Sequence, residues 1–349
     1  MSSAATAVGI IANPAAGQDI RRLISAASGC SIAEKTNIVR RLCLGMKFAG
    51  ISRVYLIPDQ SGIAGSLLRS KNQGQDFLGE SWPEIELLDM PVTEKAVDTT
   101  EAVRMMREKG VPLIVVLGGD GTHRLVAGSC GEIPIIGLST GTNNAFPHFY
   151  EATVAGIAAG LVVSGAVSWN LATRRNKTLR VAADGQKKDL ALVDLCLTAD
   201  IWVGSRAIWK PERIQEIFVS FAEPGAIGLS SVAGLIQPLS RNTEQGVHLS
   251  LCPPGEGLKT IYAPIAPGLI LPLGIAAIET LNPFEVRTVE LDRGVVTLDG
   301  EREFAFRETD DLKVWLDPNG PLTVDVPRVM QLAAEQGTME QFYPEIRGR

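Results

Sequence analysis

The stretch "VVLGGDGTHRLVAG", residues 115–128, places a carboxylate among three glycines where an apolar run ends and a helix-like pattern begins. Gly118, Gly119 and Gly121 can adopt positive φ and let a ligand approach the main chain with no Cβ in the way. Their N–H groups, followed by a helix N-terminus, would form a concavity suited to phosphate oxygens. Asp120 inside that concavity is repelled by phosphate unless a cation or a proton transfer offsets the repulsion. Mg²⁺ carried by ATP supplies the first reason, and a substrate hydroxyl that must lose its proton supplies the second. The same residues also make a good turn, with Asp120 capping the helix that begins near Thr122. His123, two residues after Gly121, is either a phosphate contact or a solvated or capping side chain.

Three further segments could share a site with this corner. "NPAAG" (Asn13 to Gly17) ends the first apolar strand, and "STGTNNAF" (Ser139 to Phe146) ends the fifth. Both carry small and amide side chains able to hold phosphate or ribose oxygens. "LDGE" (Leu298 to Glu301) sets Asp299 and Glu301 on a turn in a later, β-rich part of the chain. Neither G-x-x-x-x-G-K-[ST] nor G-x-G-x-x-G occurs, so the two commonest phosphate-binding loops are absent.

Positioning these segments requires a sheet whose strands all end on one side. "AVGIIANP" (7–14), "RVYLIPD" (53–59), "EIELLDM" (84–90), "PLIVVLGGD" (112–120) and "IPIIGLSTG" (133–141) read as short strands, the last two apolar enough to be buried on both faces. A helix is expected over 93–110, closed by Gly110. Residues 1–165 are therefore predicted to form an α/β nucleotide-binding domain with a Rossmann-like parallel sheet. Residues 179–198, with an Asp184-Gly185 turn, and 286–308 read as hairpins, which makes 166–325 a mostly β substrate-binding domain. Residues 326–349 are expected to be a helical tail. "TIYAPIAPGLILPLGIAAIE" (260–279) has no charge until its end, but three prolines break any spanning helix, so buried strand and loop are expected there.

Composition narrows the partners. The chain has 349 residues, 45% of them hydrophobic, which is enough for two cored domains. Its net charge of −6, with no Lys/Arg block longer than a pair, argues against a nucleic-acid groove or an anionic membrane surface. Five scattered cysteines without a C-x-x-C pair suit reduced thiols, and the first residues lack the basic start and apolar length of a secretion signal. A cytoplasmic protein is expected.

"NPAAG", "GGDGT", "GTNN" and "DGE", in that order and spacing, resemble the superfamily of NAD kinases, diacylglycerol kinases and sphingosine kinases. The opening "IANPAAGQDIRRL" is most similar to its acetoin-catabolism X protein group, usually classed with ATP-NAD kinases. The resemblance implies an α/β domain joined to a mostly β domain and ATP-dependent phosphoryl transfer to a hydroxyl, with Mg²⁺ and ATP required. Asp120 would be the base or hold Mg²⁺. Gly118, Gly119, Gly121 and Thr122 would lie against nucleotide phosphates, and Asn13, Gly17, Gly141, Thr142, Asn143 and Asn144 would complete the cradle. Asp299 and Glu301 would add catalytic charge from the second domain. NAD is the first acceptor implied, with Asp194, Ser230 and Ser231 as its candidate contacts, although Val193 stands where NAD kinases carry Asn before the acidic residue. "GTNN" and "DGE" match the lipid-kinase branch better, yet an acidic chain without a basic amphipathic helix is ill suited to a membrane surface. A lipid or small-polyol kinase and a non-catalytic nucleotide-binding regulator are the alternatives. The superfamily also implies a homo-oligomer.

Overall fold

The computed structural model describes residues 6–16, 30–72, 82–141, 144–199 and 213–340. Its first half alternates strands and helices: β1 (Ala7–Ala12), α1 (Ile32–Phe48), β2 (Arg53–Leu56), α2 (Ile63–Asn72), β3 (Glu84–Leu87), α3 (Ala96–Glu108), β4 (Ile114–Gly118), α4 (Asp120–Ser129), β5 (Ile135–Ser139) and α5 (Ala152–Val163). The five strands pair in parallel in the spatial order β3-β2-β1-β4-β5. Every residue of β4 is buried, as a strand covered by helices on both faces must be. Strand order reverses between β1 and β4, and the carboxyl ends at such a switch open a crevice between diverging loops. Residues 13–16 leave the end of β1 and residues 119–122 leave the end of β4, so topology alone brings them together.

Helix packing on this sheet is tight at glycine. Ser31 caps α1 by accepting from Glu34 N (3.1 Å), and α1 then lies against α5 with almost no side chain between them. A Cβ on Gly156 would stand 2.3 Å from Leu42 O, and one on Gly45 would stand 2.3 Å from Thr153 O. Both obstacles are backbone and cannot rotate away. Gly156→Ala is expected to cost roughly 1–3 kcal/mol by forcing the helices apart. The check is the urea midpoint, and an unchanged midpoint would show that the helix pair yields.

The second half comprises α6 (Trp169–Ala172), β6 (Thr173–Arg175), β7 (Thr178–Ala183), β8 (Gln186–Ala191), β9 (Asp194–Thr198), β10 (Ile214–Val219), α7 (Ser230–Gly234), β11 (Gly246–Cys252), β12 (Lys259–Ala266), β13 (Leu269–Leu281), β14 (Arg287–Thr288), β15 (Arg293–Leu298), β16 (Glu301–Arg307), β17 (Lys313–Asp317), β18 (Leu322–Val324) and α8 (Val326–Glu335). A seven-stranded antiparallel sheet, β12-β13-β11-β10-β9-β15-β16, packs on a four-stranded sheet, β14-β17-β7-β8. Leu179, Val181, Leu195, Phe218, Val296 and Leu316 fill the layer between them. The Asp184-Gly185 turn joins β7 to β8 with both residues at positive φ (53° and 70°), as a two-residue hairpin requires.

The boundaries expected from sequence are redrawn at the C-terminal end. β6 and β18 extend the first sheet beyond β5, and α8 docks on the first core through Val326, Val329, Leu332 and Ala333. That apolar stripe at helical spacing needs a partner, and α5 supplies it. Residues 322–335 thus belong with the α/β domain rather than with the β domain and a separate tail. Residues 260–279 form the β12–β13 hairpin at a sheet edge, where Pro264 displaces no interior ladder bond. Ala263, Ile265 and Leu273 are buried, but Tyr262 and Ile270 on the other face are exposed, so this stretch is only half buried. Among the described residues, no helix is long and apolar enough to cross a membrane.

Candidate functional site

At the switch point, Asn13 ties the first loop to the second. Its N–H donates to Leu117 O (3.1 Å), its Nδ2 donates to Thr122 Oγ1 (2.8 Å), and its Oδ1 accepts from Ala15 N (2.9 Å). From α1, the buried Lys35 ammonium donates to Pro14 O (2.6 Å) and Ala16 O (2.7 Å), holding the same loop from behind. The three glycines of the corner each face a close side chain. None of them has positive φ, in contrast to the expectation from sequence. A Cβ on Gly118 would meet Thr122 Cβ at 2.7 Å, one on Gly119 would meet Asn144 Oδ1 at 2.8 Å, and one on Gly121 would meet Glu301 Oε1 at 2.9 Å.

Asp120 is the first residue of α4, and its carboxylate is clasped by main chain. Oδ2 accepts from Ala145 N (2.9 Å) and Oδ1 accepts from Phe146 N (2.8 Å). The segment that carries these amides is tied to the end of β5, with Asn144 Nδ2 donating to Ser139 Oγ (2.8 Å) and Ser139 Oγ donating to Gly141 O (2.9 Å).

From the β domain, Asp299 and Gly300 form the turn between β15 and β16, with φ of 51° and 77°. The Asp299 side chain is buried and accepts from Leu192 N (3.0 Å) and Val193 N (2.7 Å), while its own N–H donates to Asp194 O (2.9 Å). Burial pushes the Asp299 carboxyl well above the usual carboxylate range, and the negative charges of Asp194 and Asp120 push the same way. Arg124 opposes them. It is itself buried on α4, and its Nη1 donates to Asp189 Oδ2 (2.6 Å) on β8, a buried-to-surface ion pair that joins the two domains.

His123 lies beneath the corner, fully buried, so neither the phosphate contact nor the solvated side chain describes it. Its Nδ1 is 2.8 Å from Gly119 O, and burial lowers its pKa from 6.5 to about 4. The folded-state pKa is below the unfolded one, so this contribution to stability is fully present above pH 6.5 and is lost as pH falls toward 4. The loss should reach about 3 kcal/mol. His123→Asn keeps a donor for Gly119 O without the titration, and urea unfolding of both proteins from pH 7 to 4 should show the steeper decline only in the wild type. Equal slopes would remove His123 as the cause.

The oxygen donors of Asp120 and Glu301 are of the hard type that Mg²⁺ takes, and Mg²⁺ is commonly held by one or two carboxylates together with substrate phosphates. Among the described residues, no group of three or more His, Cys, Asp or Glu side chains is disposed to hold a metal alone. Two carboxylates at one corner suit a metal that arrives with a phosphate ligand.

Two family models match the chain in succession. Residues 8–166 match the ATP-NAD kinase N-terminal domain family, and residues 177–319 match the acetoin catabolism protein X C-terminal domain family. The acetoin catabolism protein X of Cupriavidus necator is 42% identical over 344 residues, covering 97% of this chain and 95% of that protein. The chain belongs to the acetoin catabolism protein X family. Among solved structures, an NAD kinase from Archaeoglobus fulgidus in complex with ATP aligns with a TM-score of 0.40 and 15% identity, over 81% of this chain and 97% of its own. A candidate diacylglycerol kinase from Bacillus anthracis aligns with a TM-score of 0.44 and 14% identity, over 91% and 97%.

In this family member, Asn13, Gly118, Gly119, Asp120, Gly121, Thr122, Gly141, Asn144, Asp299 and Glu301 are linked through the contacts above, and Asp194 adjoins Asp299. Gly17, Thr142 and Asn143 lie outside the described residues. Ser230 and Ser231 are fully buried in α7, where Ser231 Oγ donates to Gly228 O (2.7 Å), so neither presents a hydroxyl to solvent. Sequence reasoning passed over Lys35, Arg124 and Arg241. Each is a buried charge in a stretch that gives no sign of burial in the sequence.

Proposed function

We propose that the protein catalyses ATP-dependent phosphoryl transfer to a hydroxyl acceptor, with NAD the first acceptor to test and acetoin catabolism its metabolic setting. The observation that carries the reading is the meeting of residues 13–16, 139–141, 144–146 and 298–301 at the 118–122 corner that carries Asp120. In this reaction the acceptor oxygen bonds to the γ-phosphorus, the bond from that phosphorus to the β-bridging oxygen breaks, ADP leaves, and the hydroxyl proton passes to Asp120. Bound Mg²⁺ would neutralise charge on the transferring group. Phosphate would bind at the α4 N-terminus, where Asn13 and Asn144 fix the loops on either side.

One observation favours an acceptor other than NAD. Val193 and Asp194 are both buried, with 1% and 6% of their surfaces exposed, so the place that would read a ribose is turned inward. A small polyol is the second acceptor class.

The test is the purified full chain with Mg²⁺ and ATP, scored for ADP release against NAD, a panel of small polyols and vesicle-borne diacylglycerol. NADP formed in step with ADP supports the NAD reading, and ADP release with polyols alone supports the second. ATP binding without ADP release on any acceptor overturns both and leaves a non-catalytic nucleotide binder.

Gly121→Ala gives a graded check of the Glu301 contact. Its Cβ would press on Glu301 Oε1, the end of a flexible side chain, so the fold should hold while the carboxylate is displaced. Activity is expected to fall by up to about 10²-fold with an unchanged melting temperature. Retained activity would place Glu301 outside the reaction.

A further inference from the structure

Arg241 belongs to no motif of the site, yet its guanidinium is buried between the domains with 7% of the residue exposed. Nη1 donates to Phe146 O (2.8 Å) and Nη2 to Ala145 O (2.5 Å). Nε donates to Glu223 Oε1 (2.9 Å), Nη2 also approaches Glu223 Oε2 (3.4 Å), and the guanidinium carbon lies 4.2 Å from the Phe221 ring centre. A guanidinium held by a two-point ion pair and an aromatic face has one orientation, and Arg241 spends it on two adjacent carbonyls.

Those carbonyls belong to the residues whose N–H groups hold Asp120. Ala145 and Phe146 each donate to the Asp120 carboxylate and each accept from Arg241. The peptide unit that joins them carries the cation on its oxygen and the carboxylate on its nitrogen. A cation at the carbonyl polarises the peptide and makes its N–H a stronger donor.

We propose that Arg241 is the positioning residue for Asp120, reaching from the β domain to orient the Ala145–Phe146 peptide, whose N–H is one of the two that clasp the carboxylate, and to pin the peptide that follows it. The inference rests on the reading of Asp120 as the reacting carboxylate. It makes docking of the β domain a condition for the corner on α4 to be set, because without Arg241 the 144–146 segment keeps its ties to β5 but loses its orientation toward α4.

Two measurements on the full chain separate this inference from the reading it rests on. The first is amide hydrogen exchange at Ala145 and Phe146 in protein free of nucleotide and metal. Exchange there should be at least about tenfold faster in Arg241→Gln and in Asp120→Asn than in the wild type, with Arg241→Lys intermediate because it keeps the charge and loses the fork. The second is steady-state phosphoryl transfer, in which Arg241→Gln should lower kcat by about 10²-fold and leave the KM for ATP within about threefold, since residues 13–16 and 118–122 keep their own ties. If Arg241→Gln does not fold, Arg241→Lys carries both comparisons. Unchanged exchange at both amides in a folded Arg241 variant overturns the proposal, as does full kcat in both variants. A wild type inactive on every acceptor, but with exchange responding to Arg241 and Asp120 alike, overturns the catalytic reading and leaves the link between the two residues standing.

Discussion

Asp120→Asn is expected to lower phosphoryl transfer by about 10²- to 10⁴-fold, the range associated with a positioned base, while the protein stays folded and still binds ATP. The side chain keeps its shape, and the amide oxygen can still accept from Phe146 N. Its NH₂ group, however, then faces Ala145 N, where the carboxylate Oδ2 accepted at 2.9 Å. Replacing that bond by two facing donors should cost on the order of 1 kcal/mol, too little to unfold the chain. Binding should respond in the opposite direction to turnover. A carboxylate at the mouth of a phosphate concavity repels ATP when no metal is present, so the Asn variant should bind metal-free ATP more tightly than the wild type, and the advantage should shrink when Mg²⁺ is added. Calorimetric titration with and without Mg²⁺, beside the turnover assay, reads both effects. Lost turnover with tighter metal-free binding assigns the carboxylate to the reaction. Unchanged turnover would return Asp120 to the role of a turn and helix cap.

The corner was legible because strand–loop–helix junctions leave a local signature. An apolar run that stops at "GGDGT" and another that stops at "STGTNN" specify strand ends, and a parallel sheet places all such ends on one side. The Asp184-Gly185 and Asp299-Gly300 turns were legible for a similar reason, since two-residue hairpins need positive φ at both positions and Asp-Gly supplies it. The reason for the glycines at 118, 119 and 121 was not legible. They make room for Thr122, Asn144 and Glu301, and two of those three neighbours are distant in sequence. Arg241 and Lys35 were hidden because the groups they position are main-chain carbonyls, which have no residue type to recognise. The return of β18 and α8 to the first domain was hidden for want of a partner. An amphipathic helix announces that it must dock, and only the folded chain shows that it docks on α5.

Position 299 should separate the turn from the chemistry. Asp299→Ala leaves the buried N–H groups of Leu192 and Val193 without the carboxylate that accepts them at 3.0 and 2.7 Å. Each buried donor left unsatisfied costs about 1–3 kcal/mol, and Ala at a φ of 51° adds about 1 kcal/mol more. The total, roughly 3–5 kcal/mol once partial relaxation is allowed, is large against the whole stability of a domain. Asp299→Asn should cost far less. Asn tolerates the left-handed region, its amide oxygen can accept both N–H groups, and it matches the protonated acid that burial and the charges of Asp194 and Asp120 favour here. Urea unfolding of the two variants, beside their turnover, distinguishes the roles. If the Ala variant is strongly destabilised while the Asn variant holds its midpoint but loses activity, the turn needs only an acceptor at this position and the reaction needs an ionisable one. If the Asn variant is both stable and active, Asp299 serves the hairpin alone, and the acidic contribution of the β domain to the site falls to Glu301.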